Sequence, residues 1–372
     1  MSVIDRSIIE PFPRVCVGRN DTALSSSARG RASLSGCKNR RVDLDLVFLG
    51  TAGSAPTAQR APTALMIRRG GERLLFDCAE GTQRQLMRSQ VGLVALREVF
   101  LTHFHADHYL GLPGMLKTFS LHGREEPLAV YGPAGLRDLM ATMARMIGRL
   151  SYEVTAVELE AGETLPRDEY ELRAFAVSHA VSALGYALVE AERPGRFDAD
   201  AADRMGIPHG PERGALQRGE PVTLADGRVV SPSELIGVAR AGRTVVVAGD
   251  TAPAGSVIEA AQGADVLVHE ATFTEEESER AAETAHSTAT GAATVARAAG
   301  VGLLALTHLS SRYFGRDVRR EAETIFPNTV VPRDFDTIEV PFEERGAPRL
   351  VKGGALRERG AEAPTDAVSS TP

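Results

Sequence analysis

Apolar residues in this chain fall into short runs separated by polar and glycine-rich turns, and two periodicities alternate along it. The run over 44–49 reads as a strand ending at Gly50. Runs over 63–67 and 73–76 read as two more strands around a turn at Gly70 and Gly71. The pattern predicts a helix over 80–88, a buried strand over 98–101, and helices over 110–121 and 135–149. Strands are predicted over 152–159, 171–177 and 183–189. The second half continues with strand 244–248, a helix to about 262, strand 266–269, helix 286–299, strand 303–307 and a last strand near 337–340. Helices alternating with strands in both halves define an α/β protein.

Three stretches depart from this rhythm. Residues 1–42 carry eight Lys or Arg against three acids and lack the apolar run of a secretory signal, so a disordered basic tail is expected. Residues 343–372 show no period and are expected to form a second disordered tail, leaving 43–342 as the folded domain. Within that domain, 192–242 is crowded with Gly, Pro and charge and shows little potential for a core. It reads as a functional protrusion or as disorder.

Composition narrows the class. A content of 43% hydrophobic and 24% charged residues is that of a globular protein. No apolar run approaches the roughly 18 residues of a membrane-spanning helix. Cys16, Cys37 and Cys78 are odd in number and widely spaced, which argues against a disulfide scaffold or a cysteine zinc site and for a cytoplasmic chain. The net charge of -7 gives no basic signal, yet metal-binding carboxylates enter that sum while attracting cations, so a nucleic-acid substrate is not excluded.

The histidines carry the chemistry. Thr102-His103-Phe104-His105-Ala106-Asp107-His108 follows a buried strand and offers four ligands within six residues. His103 and His105 can point at one ion, and Asp107 and His108 at a second. His179, Asp250 and His308 each follow a predicted strand, at the sheet edge where α/β sites form. Singly, His179 reads equally as a turn residue and Asp250 as a helix cap. Together the five histidines and two aspartates fit two zinc ions, with His103, His105 and His179 on one, Asp107, His108 and His308 on the other, and Asp250 shared. Sequence fixes ligand type better than metal identity, so manganese could substitute.

HxHxDH followed by a distant His, Asp and His resembles the metallo-β-lactamase superfamily. A closer resemblance, to the ribonuclease Z family, rests on Leu49-Gly50-Thr51, Phe76-Asp77-Cys78-Ala79-Glu80-Gly81-Thr82-Gln83, Gly249-Asp250-Thr251, His269-Glu270-Ala271-Thr272-Phe273, Ala285-His286-Ser287-Thr288 and Thr307-His308-Leu309-Ser310-Ser311-Arg312-Tyr313. It spans roughly 43–342. It implies a four-layer αββα sandwich and an endoribonuclease that removes the 3′ trailer of tRNA precursors, leaving a 3′-hydroxyl on the tRNA and a 5′-phosphate on the trailer. It implies two Zn2+ per subunit and Asp107 as proton acceptor beside its ligation; His286 is the candidate proton donor, oriented by a carboxylate such as Glu270, and reads otherwise as an N-terminal helix residue.

The resemblance also turns 192–242 into a protruding arm that grips the tRNA elbow, with Gly206, Pro208, Gly210 and Pro211 at the phosphates and Arg193, Arg196, Arg204, Arg213 and Arg218 suited to RNA. Arg312 is a candidate for a phosphate oxygen or for a structural ion pair. A homodimer is implied, with the arm of one subunit serving the cleft of the other, and neither DNA nor a membrane as partner. The first loop keeps only Pro56 and Arg60 of the family's Pro-x-Lys-x-Arg-Asn run, which leaves the handling of a CCA end open. Two other classes stay open: a hydrolase of small phosphodiesters, thioesters or lactones on the same fold, and a non-catalytic RNA-binding scaffold.

Overall fold

Strand alternation sorts the apolar residues onto two faces, and the chain folds around that sorting. The computed structural model describes residues 42–93 and 96–353, so nearly all of the tail expected over 1–42, and residues 354–372 of that expected over 343–372, lie outside the described residues. In β1 (Leu44–Gly50), Leu44, Leu46 and Phe48 enter one buried cluster while Val47 and Leu49 enter another. A strand covered on both faces reads as a near-continuous apolar run.

β2 (Ala64–Arg69), β3 (Glu72–Phe76), β4 (Glu98–Phe100), β5 (Leu128–Gly132) and β6 (Val154–Glu158) extend this sheet. A second sheet contains β7 (Thr164–Pro166), β8 (Tyr170–Ala176) and β9 (Leu184–Glu190). After a small hairpin, β10 (Val222–Thr223) with β11 (Val229–Val230), the second sheet resumes with β12 (Thr244–Val247), β13 (Val266–Glu270), β14 (Leu303–Thr307) and β15 (Thr329–Val330). β16 (Thr337–Glu339) and β17 (Arg349–Val351) return to the first. The strand orders are β17-β16-β1-β2-β3-β4-β5-β6 and β15-β14-β13-β12-β9-β8-β7.

The inner faces of the two sheets share one core, with Phe48, Phe76, Phe100, Tyr186 and Val268 among its members. Helices Gly111–Leu121 and Leu136–Ile147 cover the outer face of the first sheet. Helices Ala289–Ala299 and Gly315–Glu323 cover that of the second, which gives the expected αββα layering.

β3 to β6 run parallel, as do β12 to β15, and β8 runs with β12 because both are antiparallel to β9. The loops after β4, β8, β12 and β14 carry the expected ligands, and they converge.

Several expectations need correction. The helix expected from 286 starts at Ala289, because the Thr288 hydroxyl caps it by accepting from Gly291 N at 3.0 Å. His286 therefore stands in the preceding loop, free of helix geometry. β5 and the helices Ser278–Glu283 and Gly315–Glu323 escaped the periodicity reading. The second tail does not begin at 343: Glu343–Arg345 forms a helical turn and β17 pairs antiparallel with β16.

The stretch 192–242 is folded around its own small core of Ala202, Ile207, Leu216, Leu224, Val230 and Leu235. It is inserted between the neighbouring strands β9 and β12, consistent with an arm. Its arginines are mostly structural. Arg213 is buried, donating to the Ile207 carbonyl and to Asp203, and Arg193 pairs with Glu344 and Arg218 with Glu220. Arg196 and Arg204 are exposed.

At the end of β9 the buried Glu190 accepts from Arg69 Nε at 2.8 Å and from Arg243 Nε at 2.7 Å. Burial raises its pKa, but the hydrogen bonds and charge of Arg243, with Arg69, outweigh that and hold it below the ordinary carboxylate range. Glu190→Gln leaves two buried guanidiniums short of a counter-charge and should cost about 3–5 kcal/mol of unfolding free energy at neutral pH. Because the folded pKa is depressed, the contribution is present above the unfolded carboxyl pKa and is lost as pH falls through the folded one. Urea titrations of both proteins should show a gap that closes in acid, and a gap of the same size at every pH would contradict the ion-pair origin.

Candidate metal centre

The first ligand loop leaves β4 and is fixed from below by a carboxylate. Asp77, at the end of the adjacent β3, accepts from Thr102 N at 2.8 Å, from the Thr102 hydroxyl at 2.9 Å and from His108 Nδ1 at 2.8 Å. The Thr102 oxygen then accepts from His103 Nδ1 at 3.0 Å. On the other sheet Glu270, the last residue of β13, plays the matching part. It accepts from Thr251 N at 2.8 Å, from the Thr272 hydroxyl at 2.5 Å and from His286 Nδ1 at 2.7 Å. Thr272 in turn accepts from His308 Nδ1 at 2.8 Å. His179 Nδ1 donates to the Ala285 carbonyl at 3.0 Å. Four of the five expected histidine ligands thus have Nδ1 engaged, which turns Nε2 toward the centre.

His308 adopts a left-handed backbone with φ 56°, uncommon for a side-chain-bearing residue. Its ring lies so close to the loop after β1 that a Cβ at Gly53 would sit 2.6 Å from Nδ1. Glycine is required there by close approach.

All seven expected ligands meet. His103, His105, His179 and Asp250 form one group of converging donor atoms, and Asp107, His108 and His308 a second. Asp250 Oδ2 lies 3.3 Å from both His108 Nε2 and His308 Nε2 and 3.7 Å from His103 Nε2, so it touches both groups. Asp107 Oδ2 lies 3.2 Å from His308 Nε2 and accepts from Ser54 N at 2.7 Å.

The donor set fits a pair of cations. His103 Nε2 is completely buried with no hydrogen-bond partner, and His179 Nε2 faces His105 Nδ1 at 3.2 Å. An unpartnered buried nitrogen is costly unless a cation takes its lone pair. His286 also lies near Asp250 and His308, but its Nδ1 belongs to Glu270.

The electrostatics agree with cation binding. Burial pushes the His103 pKa down to about 2, which keeps it a neutral ligand. Burial raises Asp250 and Asp107, but the neighbouring histidines, His308 foremost, reverse this and hold both carboxyls well below their usual range. Burial lowers His108 and His308, but Asp250 and its neighbours more than compensate, so both end raised. A metal bound here displaces those protons. His286 is likewise lowered by burial and raised more by its hydrogen bond to Glu270, and so ends raised.

The other expected residues lie elsewhere. Gly206, Pro208, Gly210 and Pro211 are exposed in the arm. Gly206 and Gly210 have positive φ, and Pro211 opens the helix Pro211–Gln217. Arg312 ion-pairs with Glu277 at 3.4 Å, and its guanidinium stands 5.3 Å from the centre of the Phe273 ring. Arg60 donates to Thr51 and to the Pro332 carbonyl, bracing the first loop. His269 is buried, donates to the Glu270 carbonyl and belongs to none of the donor groups. Asp77 and Thr272 were overlooked as orienting residues. The signal for Asp77 was available, since it is a carboxylate at a strand end beside the HxHxDH strand.

An αββα sandwich with seven His and Asp donors at the strand ends defines a metallo-β-lactamase-fold protein. The metallo-beta-lactamase fold protein YhfI from Bacillus subtilis shares the architecture, with TM-score 0.59 and 19% identity over 80% of this chain and all of that one. A family profile described as Anti-Pycsar protein Apyc1 matches residues 44–189. The ribonuclease Z of Methanosarcina acetivorans is 45% identical over 303 residues, 80% of this chain and 99% of that protein. That of Gemmatimonas aurantiaca is 49% identical over 302 residues, 80% of this chain and 96% of its own length. The short form of human tRNase Z has TM-score 0.59 and 27% identity over 80% of this chain and all of its own. The chain belongs to the ribonuclease Z family.

Proposed function

We infer that this chain is a metal-dependent endoribonuclease that removes the 3′ trailer from tRNA precursors, leaving a 3′-hydroxyl on the tRNA and a 5′-phosphate on the trailer. What carries this reading is a complete donor set in a chain 45% identical to a ribonuclease Z across 99% of that protein's length. Of two Zn2+ per subunit, His103, His105 and His179 would hold one and Asp107, His108 and His308 the other, with Asp250 shared. When bound, the metals supply an acidified water nucleophile and positive charge against the phosphoryl oxygens.

The chain's own residues move the protons. Asp107, fixed by Ser54 N, takes the proton of the attacking water. As the water oxygen bonds to phosphorus, the bond from phosphorus to the tRNA 3′ oxygen breaks. His286, kept protonated by Glu270, gives that oxygen its proton. Among the described residues no helix is long and apolar enough to cross a membrane, and the reading places the enzyme in the cytoplasm with its RNA substrate. Incubating a 3′-extended precursor lacking CCA and mapping the cut with its end groups tests the assignment. An intact precursor, left by metal-loaded enzyme that does hydrolyse a thioester or a lactone, would overturn it.

The arm and a homodimer complete the reading, with the arm of one subunit gripping the tRNA elbow while the other subunit cuts. In the Gly206-Ile207-Pro208-His209-Gly210-Pro211 turn, exposed except for the buried Ile207, backbone N–H groups can approach phosphates. Removing 196–237 spares the Arg193–Arg240 bridge at the arm's base. This deletion should raise KM for the precursor roughly tenfold or more while leaving hydrolysis of bis(p-nitrophenyl) phosphate intact. Mixing the deletion protein with Asp250→Ala should restore part of the lost processing through mixed dimers. Exchange of subunits without restored processing would mean each subunit serves its own arm.

A further inference from the structure

The arm's core residues join none of the three larger clusters, so hydrophobic packing does not set its angle on the body. Among the described residues, the side-chain hydrogen bonds and ion pairs that cross from arm to body lie at its base. Arg193, on the chain leaving β9, and Arg240, on the chain returning to β12, exchange backbone hydrogen bonds at 2.8 Å in each direction. Both guanidiniums then converge on one carboxylate outside the arm. Glu344 accepts from Arg193 Nη1 at 3.0 Å and Nη2 at 3.1 Å, and from Arg240 Nη1 at 2.8 Å.

Two residues earlier, the Phe342 ring takes the Arg193 guanidinium at 3.5 Å from its centre and that of Arg243 at 4.0 Å. Arg243 is buried in the body. It bonds Glu190 and donates to the carbonyls of Val42 and Val340 at 2.9 Å. The segment bearing Phe342 and Glu344 is itself held, by β16 before it and by β17 after it, and by Gly353 N donating to Asp336 at 2.9 Å.

We propose that residues 342–344 form a clamp that fixes the angle of the arm on the catalytic body, making Phe342 and Glu344 positioning residues for precursor cleavage. The clamp bridges both strands of the arm's base with one carboxylate and ties one of them to a buried arginine of the body through one ring. Bidentate arginine–carboxylate pairing and stacking on an aromatic face are both directional, so they restrict a hinge as well as attract across it. Hydrogen bonding from Arg193 leads in holding the Glu344 pKa down to about 2, so the carboxylate keeps its charge throughout the neutral range. No donor of the metal centre takes part. The role in cleavage rests on the reading of the arm as the tRNA grip.

The test uses the full-length, metal-loaded enzyme and the variants Glu344→Ala, Phe342→Ala and Phe342→Tyr. Glu344→Ala and Phe342→Ala should each raise KM for a 3′-extended tRNA precursor about tenfold. They should leave kcat for bis(p-nitrophenyl) phosphate within about twofold of wild type, and they should speed amide exchange at the arm's base. Phe342→Tyr, which keeps the ring, should restore KM. In the protein lacking 196–237, Glu344→Ala should add nothing further. Unchanged exchange at the base would overturn the clamp itself. Faster exchange with unchanged KM would overturn its part in cleavage, as would a parallel fall in both activities. Wild-type KM in the arm-deleted protein would overturn the grip reading first, and the clamp's role in cleavage with it.

Discussion

Asp250→Ala abolishes precursor cleavage and strips metal from the centre; this is the largest effect expected of any single substitution. Among the described residues, Asp250 Oδ2 is the one carboxylate oxygen within 3.7 Å of histidines from both donor groups: His108 and His308 at 3.3 Å, and His103 at 3.7 Å. It is also completely buried, held ionised by those histidines against the cost of burial. On the proposed assignment, removing it takes away the shared ligand and the buried negative charge beside both donor groups, so both groups should lose affinity for metal together. Cleavage should fall by at least about a thousandfold, which corresponds to ~4 kcal/mol of barrier. Elemental analysis of purified wild type should find about two zinc ions per chain if the proposed assignment of ligands holds. The variant should retain fewer than one, with an unchanged far-ultraviolet dichroism spectrum. Near-wild-type metal content together with near-wild-type cleavage would remove Asp250 from its bridging position.

The metal centre was the most legible part of the chain because its ligands announce themselves locally. His103, His105, Asp107 and His108 are packed into six residues, and His179, Asp250 and His308 each follow a run readable as a strand. The orienting groups were harder to see. Thr272 is an ordinary threonine until β13 and β14 bring it against His308, a relation set by sheet register. The start of the helix after His286 was misplaced because a threonine cap has less periodic signal than the alanine-rich run behind it.

The arm's core was missed for a different reason. Ala202, Ile207, Leu216, Leu224, Val230 and Leu235 are spaced singly among glycines, prolines and charges, and only the folded chain collects them. Residues 342–351 lacked a period because their fixing contacts are made to distant arginines at 193, 240 and 243 and to the edge of a sheet.

His286→Ala should lower kcat for the tRNA precursor by about 10²–10⁴-fold while leaving the metal content unchanged. The two halves of this expectation come from the same hydrogen bond. His286 Nδ1 is 2.7 Å from Glu270 Oε1, so that nitrogen is committed to a carboxylate and the ring is not needed to hold an ion. The bond also raises the pKa of His286 against the effect of burial, so the ring carries a proton to give.

The sign of the pH dependence follows. A donor must be protonated, so the wild-type kcat is full below this raised pKa and falls as pH rises through it. Glu270→Gln removes the charge that raises it and should move the alkaline limb to lower pH. His286→Ala should abolish that limb. The leaving group decides whether the proton matters: the tRNA 3′ oxygen departs poorly as an alkoxide, whereas p-nitrophenolate leaves without a proton. His286→Ala should therefore spare hydrolysis of bis(p-nitrophenyl) phosphate relative to the precursor. Equal losses on the two substrates would make His286 a positioning residue, and loss of metal with activity would make it a ligand.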